Sequence, residues 1–156
     1  MNDFNDLIIN TEAGLLRNRL DRALLINQSF VLWYILVEGI VCENFAESDI
    51  KDMFHGNIRT YLRAYKDNAD FNFIVGWMLT VAFWHFDPLL KEEDGVSLLN
   101  SAYRANTKNS LFKWALRKVF GLSGNEIRAL EIDIASRFDQ FYNYGDSIRD
   151  YFLDVI

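Results

Sequence analysis

One cysteine, one proline and two histidines are all that this chain of 156 residues holds of those types, and each scarcity excludes something. The lone Cys42 has no partner for a disulfide within the chain, and its place in the apolar run 29–42 makes it a buried, inert thiol. His55 and His85 stand about thirty residues apart. With no His-Glu-x-x-His, no Cys-x-x-Cys and no pair of Glu-x-x-His motifs beside them, the ligand set that a zinc or di-metal site needs is missing. No Gly-x-Ser-x-Gly elbow and no glycine-rich phosphate loop is present either. The expectation is therefore no catalytic residue, no metal and no cofactor. A single proline, Pro88, and eight glycines argue against a turn-rich sheet protein and against a disordered tail.

Positive charge is also short. The formal net charge is −6, and a phosphate-binding surface needs a basic face, so direct binding of nucleic acid is not expected. Apolar runs long enough for a membrane are lacking too. A spanning helix takes about 20 mostly apolar residues. The longest run, residues 71–86, is bounded by Asp70 before it and by Asp87 and Pro88 after it, and the run 29–42 is shorter and carries Glu38. The first six residues are acidic where a secretory signal is positively charged, so the chain reads as cytoplasmic.

What is plentiful is aromatic: 13 Phe, 7 Tyr and 4 Trp, enough for a real core in one domain covering residues 1–156. The run FNFIVGWMLTVAFWHF at 71–86 is its densest part. Asn72, Gly76 and Thr80 recur there at i, i+4 and i+8, which puts one narrow polar or small seam on an otherwise apolar helix. Such a rod needs neighbours on every side, which Pro88 ends.

Around it the spacing predicts about eight helices and no strand. Leu15, Leu16, Leu20, Ala23 and Leu24 share one face of a first helix after a polar start, with Asn27, Gln28 and Ser29 either interrupting or continuing it. Phe30, Val31, Tyr34, Val37, Glu38 and Val41 follow as a second helix. Ser48 is the expected N-cap of a third, with Ile50, Phe54, Ile58 and Tyr61 inward. Acids at 92–94 suit the start of another, which buries Val96, Leu99, Ala102 and Tyr103. Leu111, Phe112, Leu116, Val119 and Phe120 form a short amphipathic helix ended by Gly121. Ser123 and Glu126 make a capping box ahead of Ile127, Leu130, Ile134, Phe138 and Phe141. A last helix turns Ile148, Tyr151, Phe152 and Val155 inward. The fold class is all-α, a bundle or short solenoid around a central buried helix.

Charge is unevenly spread along this plan. Residues 122–156 hold seven acids and three bases, a net −4 of the chain's −6, whereas residues 104–118 hold five bases and no acid. Asp146, Asp150 and Asp154 fall at i, i+4 and i+8, and Glu131, Asp133 and Asp139 lie in the preceding helix with Tyr142 and Tyr144 between. These eight residues are the candidate partner-binding surface, carboxylates steering a basic protein and tyrosines anchoring it. A solvated face that keeps the protein soluble is the plain alternative. Glu38 is expected to face water or to pair with Arg59 or Arg63. His85 is expected at the core edge with one hydrogen-bond partner, and His55 half-exposed.

Residues 95–116, GVSLLNSAYRANTKNSLFKWAL, resemble the second helix of a tetratricopeptide-type repeat running into the first helix of the next. Gly95, Leu99 and Ala102 hold packing positions, Thr107 stands where that family usually has proline, and Gly76 is the small residue of the preceding helix. The resemblance implies a stacked helix pair and a protein-binding surface. As a whole, a small, acidic, all-helical, cysteine-poor chain is also similar to the immunity proteins that neutralise toxins of contact-dependent growth inhibition. That similarity implies a non-enzymatic inhibitor of a basic toxin domain, of nuclease kind. The alternatives are a tetratricopeptide-like adaptor using Tyr61, Tyr65 and Tyr103, and a small-ligand binder or enzyme with a pocket at Trp77, Trp84 and His85.

Overall fold

The computed structural model describes residues 3–156; Met1 and Asn2, which begin the acidic segment read for a signal peptide, lie outside the described residues. Eight α-helices follow one another: α1 (Phe4–Arg17), α2 (Arg22–Glu38), α3 (Glu47–Ala64), α4 (Ala69–Ala82), α5 (Glu92–Ala105), α6 (Ser110–Ala115), α7 (Gly124–Phe141) and α8 (Asp146–Val155). No strand forms among the described residues, so the fold is all-α as the spacing predicts. None of these helices is long and apolar enough to cross a membrane.

The polar seam explains how α4 sits. Asn72 Nδ2 donates to Ser101 Oγ at 3.4 Å, and Asn72 Oδ1 accepts from the Tyr61 hydroxyl at 2.5 Å. One turn on, Gly76 packs directly on Gly95 and Leu99, and two turns on, Thr80 touches Gly95. All three seam residues therefore meet α5, and the order of contacts makes α4 and α5 an antiparallel pair with backbones in close approach. The faces left over, from Phe71 to Leu79, are buried among the other helices. Phe73 alone reaches Phe112, Tyr142 and Phe152, with ring centroids 4.7, 5.2 and 5.5 Å away.

The apolar stretch does not remain a buried rod to its end. The α-helix stops at Ala82, a single 3-10 turn covers Phe83–His85, and Val81, Phe83 and Trp84 are exposed. Burial is complete on every face for the first nine residues only; beyond Leu79 it is one-sided, with Ala82 and Phe86 still buried.

Other boundaries depart from the spacing for local reasons. The face drawn through Leu15, Leu16, Leu20 and Leu24 spans a break between α1 and α2 rather than one helix. Asn18 Oδ1 accepts the Leu20 amide at 3.2 Å and Asp21 Oδ1 the Leu24 amide at 3.0 Å, which ends one helix and caps the next. Leu16 and Leu20 are accordingly exposed, and Asn27, Gln28 and Ser29 lie inside α2. Ser48 is not the cap of α3; that helix begins after Ala46, whose amide donates to Asp49 Oδ2 at 3.1 Å. The helix after Leu111 is six residues long, leaving Val119 and Phe120 exposed, and Val96 is likewise exposed on α5. At Ser123 and Glu126 the capping box forms as expected, with the Ser123 amide donating to Glu126 Oε2 at 2.8 Å and the Glu126 amide to Ser123 Oγ at 3.3 Å.

Polar groups bind the first three helices. Gln28 Nε2 donates to Thr11 Oγ1 at 3.2 Å and to Glu12 Oε2 at 2.9 Å, while Gln28 Oε1 accepts from Asn57 Nδ2 at 2.7 Å. Buried Gln28 thus saturates its amide across α1, α2 and α3, which fixes their register as apolar contact alone does not. At the other end of the chain α8 returns to α2. Gly145, at φ 123°, starts it in a conformation open to glycine, and a Cβ there would stand 2.7 Å from Asn27 Nδ2. From that close approach α8 runs alongside α2 in the same direction, with Tyr151 reaching Phe30 and Tyr34.

Candidate functional site: an acid-rimmed aromatic cleft

Because α2 and α8 run in parallel, their C-terminal ends arrive together. Between them and the start of α1 opens a cleft of about 640 Å³. Its walls are Phe4, Phe30, Val31, Tyr34, Ile40, Tyr151 and Val155, and its polar lining is Ser147 and three carboxylates, Glu38, Asp150 and Asp154. On α2 the lining comes from i, i+4 and i+8 (Phe30, Tyr34, Glu38), and on α8 from Ser147, Asp150, Tyr151, Asp154 and Val155, again one helical face. The aromatic rings brace one another. Tyr151 meets Phe30 edge-on at 5.2 Å and Tyr34 at 6.0 Å, and Phe4 lies 6.0 Å from Tyr34. Trp77 Nε1, on α4, donates to the Tyr151 hydroxyl at 3.2 Å and so ties the cleft wall to the central helix. Burial, with Glu38 and Tyr34 nearby, pushes the Tyr151 phenol above its ordinary pKa despite that bond, so the ring is a neutral wall at physiological pH.

Charge at this cleft runs against the usual helix-end pattern. The C-terminus of a helix carries a partial negative charge that favours Lys, Arg or His in the last turn. Helices α1, α3, α5 and α6 have such a base, whereas α2, α4, α7 and α8 have none; α7 carries Asp139 in its last turn, and α2 and α8 end with Glu38 and Asp154, the two acids that meet at the cleft. Neither acid has an ion-pair partner among the described residues. Asp146 and Asp150 share one base, Arg149, at 3.0 and 3.4 Å. A second, more polar cleft of about 420 Å³ adjoins through Ser147 and adds Asp3, Asp6 and Asp146, with Asn10 and Asn27. Among the described residues no lysine or arginine lines either cleft.

The structure therefore keeps part of the surface expected from the sequence and replaces the rest. Asp146, Asp150 and Asp154 do form an exposed row. The α7 acids do not join it. Glu131 accepts from Trp114 Nε1 at 3.4 Å, and Asp133 accepts from Ser110 Oγ at 2.5 Å and Arg137 Nε at 2.7 Å. Arg137 first, and then the Ser110 hydroxyl, hold Asp133 below the usual carboxylate range, so these acids fasten α6 to α7. Asp139 is exposed but lines neither cleft. Tyr142 and Tyr144 are not surface anchors. Tyr142 is buried and donates to the Asp70 carbonyl at 2.8 Å, and Tyr144 donates to the Asp70 carboxylate. Burial raises both phenols, Tyr144 to about 12 with the Asp70 carboxylate as second cause. They hold the α7–α8 connection onto the start of α4. What the sequence reading lacked was Glu38 and the α1 acids. Glu38 faces water, one of the two expected outcomes, and pairs with neither Arg59 nor Arg63; its place one turn beyond Tyr34 was the available signal.

The two other expected sites are taken apart. Tyr61 is buried, Tyr65 donates to the Leu20 carbonyl, and Tyr103 packs on Phe120 with centroids 5.1 Å apart, so the three do not line one groove. Trp77 packs on Trp114 and Phe152 in the interior, while Trp84 stands exposed beside His85. His55 is buried, not half-exposed, and its Nε2 donates to the His85 carbonyl at 2.8 Å. Among the described residues no three of His, Cys, Asp and Glu converge as a metal site. Comparison of the chain with protein-family profiles, with curated proteins and with solved structures finds no match.

Proposed function

We propose that this chain is a non-enzymatic immunity protein that acts in the cytoplasm by holding a basic toxin domain, of nuclease kind, against the acidic face made by α8, the end of α2 and the start of α1. The observation that carries the proposal is the gathering of Asp3, Asp6, Glu38, Asp146, Asp150 and Asp154 around two adjoining clefts that no lysine or arginine among the described residues lines. A nuclease has a basic surface because its substrate is a polyanion, and an acidic face complements it whether it covers that surface or sits beside it. Attraction of this sort speeds encounter at low ionic strength and fades as salt shortens the Debye length, so association is expected to slow as salt rises.

The test is co-expression. The C-terminal domain of the polypeptide encoded immediately upstream is produced in a bacterial host with and without this chain. A basic upstream domain that is toxic alone and harmless together with this chain, as a stoichiometric complex, is the expected result. An upstream domain equally toxic in both hosts, or the absence of any basic upstream domain, overturns the proposal.

A further inference from the structure

Acids at helix C-termini cost stability, and here two helices carry one at the same place. Glu38 and Asp154 each oppose the partial negative charge of their own helix end, and parallel packing of α2 and α8 sets the two ends side by side. Beneath them lie the rings of Tyr34 and Tyr151, packed on the buried Phe30, and an aromatic lining also favours a cation. Charge, helix dipoles and an aromatic lining thus favour the same occupant, one positive group on an apolar stem. Local rules broken together in this manner mark a site of function rather than of stability.

We propose that the cleft between α2 and α8 receives a protruding arginine side chain of the basic partner, its methylenes on the aromatic wall and its guanidinium between Glu38 and Asp154. The inference deepens the proposed function and rests on it for the identity of the partner, but the recognition itself belongs to the cleft. Arginine suits the site better than lysine because its planar, weakly hydrated head stacks on rings and presents several donors to separate carboxylates. The cleft, about 640 Å³, is large enough for the side chain and part of its backbone.

The probe is a capped Gly-Leu-Arg-Leu-Gly peptide, with its citrulline counterpart as the neutral control of nearly equal shape. Ring resonances of Tyr34 and Tyr151 are followed by NMR during titration of the full chain. Saturable shifts with the arginine peptide, at least about tenfold tighter than with citrulline, are expected from a cation held between two carboxylates and against aromatic rings at once. The double substitution Glu38→Gln and Asp154→Asn is expected to abolish that preference while leaving Tm unchanged or raising it, because two unfavourable helix-end charges are gone. Equal binding of the two peptides, no saturable shift up to about 10 mM, a range that covers millimolar affinities, or a fall in Tm on double substitution overturns the inference. The two failures are separable. If the peptide binds and the upstream domain does not, the toxin reading falls alone; if the upstream domain is neutralised and the peptide is ignored, the cleft inference falls alone.

Discussion

Replacing Phe73 by alanine is expected to destabilise the protein by about 3–5 kcal/mol, the range for truncating a fully buried phenylalanine. That is a large part of the total for a domain of this size, roughly 5–15 kcal/mol. The reason is position rather than residue type. Phe73 joins α4 to Phe112 of α6, to Tyr142 after α7 and to Phe152 of α8, so its removal leaves a cavity walled by three elements that cannot all collapse into it. Trp84 lies in the same apolar stretch and is the larger residue, yet it is 56 % exposed. Its replacement by alanine is expected to cost less than about 1 kcal/mol. Urea unfolding followed by circular dichroism checks both, with the midpoint moving far for Phe73→Ala and little for Trp84→Ala at unchanged slope. Equal losses at the two positions would mean that Trp84 is buried as Phe73 is.

Alanine at Gly76 and at Gly56 is expected to act with opposite sign, although both glycines are internal to a helix. Intrinsic propensity favours alanine by about 1 kcal/mol at either place. At Gly56 a Cβ meets nothing within 4 Å, so Gly56→Ala should realise that gain. At Gly76 the added atom would stand 2.9 Å from the Gly95 carbonyl oxygen and 3.0 Å from the Leu99 amide nitrogen, both backbone. Main chain cannot swing aside as a side chain does, so α4 and α5 must separate. Overpacking of this kind costs about 1–3 kcal/mol, which exceeds the propensity gain, and Gly76→Leu is expected to prevent stable folding. Thermal unfolding of the two alanine variants measures the contrast directly. A stabilised Gly76→Ala would mean that the two helices do not cross there.

The same pair shows how far the sequence could be read. Spacing alone put Asn72, Gly76 and Thr80 on one seam, and the seam is what meets α5, because a close helix crossing admits only small or hydrogen-bonding residues. The capping box at Ser123 was equally plain, since its partners are three residues apart. What escaped were features decided by distant chain. Leu15, Leu16, Leu20 and Leu24 have helical spacing, but two local carboxylate and amide caps outweigh it. Tyr142 and Tyr144 look like surface anchors between acids until Asp70, over seventy residues away, takes both hydroxyls. The acid row at Asp146, Asp150 and Asp154 was legible as a row. Its proper companions, Glu38 and the acids of α1, depend on the parallel return of α8 along α2, which rests on the tight turn at Gly145 against Asn27 and has no periodic signature.

The central proposal is that α4 and its neighbours are scaffold and that a partner docks at the joined ends of α2 and α8. Hydrogen exchange of the full chain, alone and with the basic partner domain proposed above, tests it most directly. Slowed exchange confined to the last turns of α2 and α8 and the first turn of α1 is the result expected. Protection at Val81, Phe83 and Trp84, or along α7 near Asp139, with the cleft amides unchanged, would contradict it.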